Sequence, residues 1–336
     1  MAGWQRDVLP GYWQHTIGLG RDPDGEGDIV ATLVRRGPDH GKPHPARHAV
    51  LAVHGYTDYF FNTALADHFA DRGFAFFALD LRKCGRSHRD GQTPHFTTDL
   101  ACYDNELGQA LTIIGEQANQ VLVYGHSTGG LIVSLWLDRL RRRRETEQAG
   151  VGGLVLNSPL LDLPGPAVLR WPLTSALIAT VARVAGLRVA RAPGEGGYGA
   201  SLHRDYHGEF DYDLQWKPVG GFPITFGWLH AVRRGQKRLH RGLDVGVPNL
   251  ILRSDHSVTE SADALALQCG DAVLDVAQIA RWAGCIGNHT TVVPVEDAKH
   301  DVFLSMPGPR QAAYRQLDIW LDDYLGAAES IPSQKG

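Results

Sequence analysis

Residues 121–137, VLVYGHSTGGLIVSLWL, constrain this chain more than any other stretch. A short apolar, β-branched run over 121–124 reads as a buried strand. The pattern breaks at Gly125-His126-Ser127-Thr128-Gly129 and resumes as an apolar-periodic helix. A strand that turns this sharply into a helix holds Ser127 in a strained backbone conformation. The residues two positions away on each side then come too close for a Cβ, and glycine at 125 and 129 removes the clash. The hydroxyl stands exposed at the end of the strand. Behind it, the amide of Thr128 lies at a helix N-terminus, where unpaired N–H groups and the helix dipole favour negative charge.

The 336 residues suffice for one large domain or about two ordinary ones. A hydrophobic content of 43% and a charged content of 21% fit a soluble globular protein. With 33 basic and 37 acidic residues the net charge is −4, which gives no field suited to nucleic acid. The run from Arg141 to Arg144 falls at the expected end of the helix after Ser127, where cations are favourable. Cys84, Cys102, Cys269 and Cys285 show no metal-ligand spacing and read as free thiols in a reducing compartment. The N-terminus lacks the apolar region of a secretory signal. The most apolar segment, 168–190, is interrupted by Arg170, Pro172, Arg183 and Arg188, so its longest uncharged run falls short of the ~20 residues a membrane span needs. A cytoplasmic enzyme without an integral membrane segment is expected.

Residues 12–36 give two strand-like runs around the turn RDPDGEGD, an antiparallel hairpin at a sheet edge. The Pro/His/Gly-rich loop at 37–48 follows; its histidines are irregularly spaced and make a poor metal site. An apolar strand at 48–53 ends in His54-Gly55-Tyr56, where a glycine lets the backbone approach a ligand. A helix over 63–72, a strand over 74–80, a helix within 98–115 and the strand before Ser127 continue the alternation. That order implies right-handed βαβ crossovers and a mostly parallel sheet. A further strand spans 153–157. Regularity lapses between about 160 and 247, the candidate cap, where Trp171, Trp216, Trp228 and the apolar run 173–184 are candidates to wall an acyl pocket. His203 and His207 are four apart, a spacing that suits metal ligands on a helix, but no third ligand is evident. Strands at 249–252 and 291–295 and a closing helix over 310–325 complete the pattern.

A serine hydroxyl needs a base within hydrogen-bond reach, and the base needs an orienting carboxylate. Strand, G-x-S-x-G, helix is the nucleophile elbow of the α/β-hydrolases, whose partners follow in the order Ser, acid, His. LILRSDHS places Asp255 three residues past a late strand, ahead of Asp244, Asp263, Asp271 and Asp275, the last two in a helix-like run. DAKHDVFLS places His300 after the last strand, ahead of His256 and His289. The expected triad is Ser127, Asp255 and His300, with the amides of Tyr56 and Thr128 as the oxyanion hole.

HGYTDY, DLRKCGRS, GHSTGG, LRSDHS and AKHDVFLS together resemble the serine-aminopeptidase-type α/β-hydrolases, a group that includes lysophospholipases, monoglyceride lipases and esterases. The resemblance covers about 30–157 and 248–325 and implies the same triad and oxyanion residues. Lys83 departs from it, standing where many members carry the first glycine of D-x-R-G-x-G-x-S. The expected architecture is an eight-stranded, mostly parallel sheet flanked by helices, with a mainly helical cap inserted after strand 6. Its core would occupy 1–159 and 248–328, the cap 160–247 and a flexible tail 329–336. The expected substrate is a small apolar acyl ester, such as a lysophospholipid or monoglyceride, with transient lipid contact through the cap and no metal or organic cofactor. Acyl transfer from the same acyl-enzyme is the alternative. So is an aminopeptidase-like amidase, with Glu209, Asp211 and Asp213 as its only candidate amine site.

Overall fold

Alternating apolar strands and amphipathic helices form one twisted sheet with helices on both faces. The computed structural model describes residues 3–37, 46–145 and 149–329. Most of the histidine-rich loop at 37–48 and nearly all of the expected tail at 329–336 lie outside these residues. The strands are β1 (Gln5–Arg6), β2 (Tyr12–Arg21), β3 (Asp28–Arg36), β4 (Ala46–Val53), β5 (Phe74–Asp80), β6 (Ala118–His126), β7 (Val151–Asn157), β8 (Val189–Arg191), β9 (Ile224–Thr225), β10 (Asn249–Ser254) and β11 (Thr290–Val295). The helices are α1 (Thr63–Asp71), α2 (Asp104–Gly115), α3 (Thr128–Arg143), α4 (Pro172–Ala185), α5 (Gly197–Leu202), α6 (Phe226–Leu239), α7 (Ala266–Cys269), α8 (Val276–Trp282) and α9 (Pro307–Glu329).

The main sheet has nine strands in the order β1-β2-β3-β5-β4-β6-β7-β10-β11. That is one more than expected, because the short β1 pairs antiparallel with Trp13 and Gln14 at the edge. The hairpin β2–β3 and the β3–β5 contact are antiparallel, and every pairing from β5 through β11 is parallel. Apolar runs in the central strands bury both faces, as parallel sheets require. Leu51, Val53, Val121 and Val123 pack with α2, α3 and α8. Their neighbours Val50, Ala52, Leu122 and Tyr124 pack with α1 and α9. Register then matters to function. Val53 of β4 lies opposite Gly125 of β6, so the loops after these strands emerge side by side.

Between β7 and β10 the chain makes α4, α5, α6 and the small β8–β9 pair. α6 packs on α3 and carries α4 on its back. Leu173 and Val184 of α4 are 81% and 83% exposed. Trp171 also faces solvent, whereas Trp228 is buried and Trp216 packs edge-on against Tyr59. No helix among the described residues is long and apolar enough to cross a membrane.

One buried cation gives a pH signature. Lys299 donates to the Ser201 carbonyl at 2.7 Å, and burial pushes its ammonium down from 10.5 to about 8. The unfolded chain therefore binds more protons between those values, so stability should rise as pH rises through that window. The rise should be on the order of 2–3 kcal/mol, since one pKa unit is worth about 1.4 kcal/mol. Urea denaturation of wild type and Lys299→Met between pH 7.5 and 10.5 measures it. The variant should lack the rise; an equal rise in both would assign it to other groups.

Candidate active site

Ser127 lies between β6 and α3 with φ 52° and ψ −119°, a strained backbone for a residue with a side chain. The flanking glycines are needed where the sequence places them. A Cβ on Gly125 would come within 2.8 Å of Gly130 Cα, and one on Gly129 within 2.3 Å of the His54 carbonyl. Gly55 is pressed against the serine itself, since a Cβ there would lie 2.9 Å from Ser127 Cβ. Tyr56, the next residue, thus follows a loop held against Ser127. His54 secures that loop, its Nε2 accepting from the Leu81 amide at 3.0 Å and its Nδ1 2.8 Å from the Gly55 carbonyl. The amide of Thr128 is the first of α3, one of the donors a helix leaves unpaired at its start.

His300 follows β11, and its Nε2 lies 2.9 Å from Ser127 Oγ. Its Nδ1 lies 2.9 Å from Oδ2 of Asp271. Nδ1 must carry the proton to donate to a carboxylate, which leaves Nε2 free to accept from the serine. The histidine loop is held from below by Asp301, whose Oδ1 accepts from Asn157 Nδ2 at 2.7 Å and from the Phe303 amide at 3.0 Å. The His126 ring packs 4.9 Å from the His300 ring. Burial, with the positive charge of neighbouring groups, keeps the His126 imidazole below its ordinary pKa.

The acid corrects the expectation from sequence. Asp255 does emerge past β10, but it turns away from His300. Its Oδ1 accepts from His256 Nδ1 at 2.8 Å and from the Asp297 amide at 3.0 Å, and the residue is exposed. The chain instead runs out through α7 and returns. The Asp271 amide donates to the His256 carbonyl at 3.1 Å, and the Asp271 carbonyl accepts from the Val258 amide at 2.9 Å. This short ladder puts Asp271 beside the mouth of β10, fully buried. Its Oδ1 accepts the amides of Val273 and Leu274, both at 2.8 Å, leaving Oδ2 for the histidine. The helix-like look of the sequence around Asp271 hid it. Gly270 was the available signal: a glycine after an apolar-periodic run marks a helix end, and α7 stops there, with Gly270 extended at φ −152° and ψ 168°.

Other residues singled out from sequence have structural partners. His203 accepts the Asp205 amide on Nδ1 and contacts the Tyr212 carbonyl through Nε2; it lies beyond α5 and forms no helical pair with His207. Glu209 pairs with Arg310 and Asp211 with Arg204, while Asp213 accepts the Gln215 amide. They do not converge on a site for a free amine. The exposed Asp255, His256 and Asp297 lie close to one another, and Asp255 Oδ1 accepts from the other two.

The family described as serine aminopeptidase, S33, matches residues 44–266. No curated protein matches the chain. Among solved structures, a monoglyceride lipase from Saccharomyces cerevisiae is 16% identical, covers 91% of this chain and 94% of its own, and has a TM-score of 0.64. A monoacylglycerol lipase from Paleococcus ferrophilus is 18% identical over 84% of this chain and 96% of its own, with a TM-score of 0.60. A carboxylesterase of Nitrososphaera gargenis is 12% identical over 92% and 99%, with a TM-score of 0.52. At these identities the likeness is one of fold.

Proposed function

The chain belongs to the serine aminopeptidase, S33 family, and from that premise we propose that it cleaves a carboxylic ester through an acyl-enzyme on Ser127. The observation that carries the reading is the unbroken line from Ser127 Oγ through His300 to Asp271, with both contacts at 2.9 Å. Asp271 holds the His300 ring in one tautomer and stabilises the imidazolium that forms. His300 Nε2 takes the serine proton as Oγ attacks the acyl carbonyl. The amides of Tyr56 and Thr128 receive the oxyanion, and donors of this kind are each worth roughly 3 kcal/mol. The imidazolium then protonates the leaving alcohol, and the same nitrogen later activates water to release the acid.

An apolar acyl ester is the substrate class that the cap favours. Residues 163–194 carry Arg170, Arg183, Arg188 and Arg191 and no acidic residue, in a chain of net charge −4. Leu173, Leu177 and Val184 of α4 are exposed beside these cations. An apolar helix face rimmed by arginines suits transient contact with a lipid surface, from which a lysophospholipid or monoglyceride is drawn. We place the enzyme in the cytoplasm, where its four free cysteines would stay reduced.

A chain-length series of p-nitrophenyl esters tests the reading, with Ser127→Ala as the control. Wild type should turn over at least the short and medium chains. Loss of the nucleophile should cost on the order of 10⁶-fold in kcat. Wild-type inactivity on the whole series, or turnover that survives in Ser127→Ala, would overturn the assignment.

A further inference from the structure

Three consecutive residues of the loop after β4 are tied, one by one, to a single seven-residue piece of the insertion, 217–223. The Tyr56 hydroxyl donates to the Pro223 carbonyl at 2.6 Å. Thr57 Oγ1 accepts the Phe222 amide at 2.9 Å. Lys217 Nζ donates to Asp58 Oδ1 at 2.7 Å and lies 3.4 Å from the Thr57 carbonyl. Thr57 is held at φ 52°, a conformation that a β-branched residue keeps only when its surroundings over-determine it. The strap is itself fixed to the rest of the insertion. The Gly194 amide donates to the Gly220 carbonyl at 2.8 Å, and Gly199 is so close that a Cβ would lie 2.3 Å from the Val219 carbonyl.

The Asp58–Lys217 pair is almost wholly withdrawn from water, each side chain only 10% exposed. Burial would raise the Asp58 carboxyl, but the Lys217 ammonium and the His126 and His54 imidazoles hold it down at about 2. The Lys217 ammonium also lies 5.6 Å from the Phe61 ring and 5.8 Å from that of Tyr212. A buried ion pair adds little to stability over an apolar pair of the same size. What it supplies is one defined geometry. That geometry is set two residues from the Tyr56 amide, in a loop with no secondary structure of its own.

We propose that residues 217–223 form a strap that positions the oxyanion amide of Tyr56, with Lys217 and the Tyr56 hydroxyl as its positioning groups. The inference rests on Tyr56 serving as an oxyanion donor. It makes the cap a determinant of the chemical step as well as a cover over the acyl group.

Phosphonylation of Ser127 by a fluorophosphonate, followed by intact-protein mass spectrometry, reads the oxyanion hole without needing an ester substrate. In Lys217→Met, the phosphonylation rate and kcat for p-nitrophenyl butyrate should fall in parallel, roughly tenfold or more, with KM within about twofold. Lys217→Arg should retain most of both. Tyr56→Phe, which removes one tether and buries no charge, should lower both rates several-fold. If Lys217→Met fails to fold, Tyr56→Phe and the charge-free pair Asp58→Asn/Lys217→Met decide. Folded variants labelled within twofold of wild type would overturn the strap. Wild type that is labelled at Ser127 yet turns over no ester would overturn the ester reading alone, with the labelling rates still deciding the strap. Wild type that is not labelled would overturn both.

Discussion

Asp271→Asn should lower kcat about 10⁴-fold with KM little changed, the size of effect seen when a triad carboxylate becomes an amide. Asp255→Asn should leave kcat within twofold. The asymmetry follows from the two environments. Asp271 is fully buried, its Oδ1 already saturated by two backbone amides and its Oδ2 aimed at His300 Nδ1. An asparagine there would keep its carbonyl on the backbone amides and present an NH₂ to the ring. His300 would then have to turn its lone pair to Nδ1 and its proton to Nε2, so it could no longer accept from Ser127. The Asp255 carboxylate accepts from His256 and from the Asp297 amide, both at the surface. The measurement is steady-state kinetics on one p-nitrophenyl ester at saturating and limiting concentrations. A large loss in Asp255→Asn with little in Asp271→Asn would reverse the assignment and require the loop around residue 255 to rearrange on binding substrate.

Why Ser127 and His300 could be read from the sequence as a contacting pair, and Asp271 as the carboxylate beside them could not, comes down to how local each constraint is. Ser127 is surrounded by a clash that only glycines at 125 and 129 relieve, so its position is written within five residues. His300 follows the last strand directly, and strand ends are readable from apolar runs. Asp271 reaches the histidine only because residues 256–258 and 271 pair across an excursion that ends at Gly270. Nothing within a short window distinguishes such a pairing from a helix. The same contrast holds in the fold. The hairpin, both central βα units and the late strands read correctly, because alternation and apolar runs are local. The course of the chain through 160–247 was not readable, since it is set by contacts such as Lys217 with Asp58 and Gly199 with Val219, partners far apart or without pattern.

Lys83→Met should destabilise the protein by about 3–5 kcal/mol, the cost of stripping one partner from a buried ionic cluster. Lys83 stands where many family members carry glycine, and its backbone explains that preference: φ is 60°, in the left-handed region. A lysine there costs roughly 1 kcal/mol or more relative to glycine. The side chain offsets the strain. Its ammonium is fully buried, 2.6 Å from Asp22 Oδ2 and 2.7 Å from Glu26 Oε2, and 5.1 Å from the Phe96 ring. It thereby fastens the acidic turn between β2 and β3 to the loop after β5. Burial would raise the Asp22 carboxyl, but hydrogen bonds from Lys83 and from the turn amides hold it below its ordinary value. A carboxyl depressed in the folded state stabilises above its unfolded pKa, near 3.8, and loses that contribution as pH falls through its folded value. Methionine in place of Lys83 would leave two carboxylates without their cation. Asp22, left with burial as the main influence on it, should then be pushed upward, and the variant's stability should fall as pH rises through the range in which it ionises. The triple variant Lys83→Gly/Asp22→Asn/Glu26→Gln should recover most of the loss, because it removes the uncompensated charges and relaxes the backbone at once. Urea denaturation at pH 4.5 and 7 measures all three proteins. A cost below about 1 kcal/mol for Lys83→Met at pH 7 would place Asp22 and Glu26 in water and reduce the cluster to a surface contact.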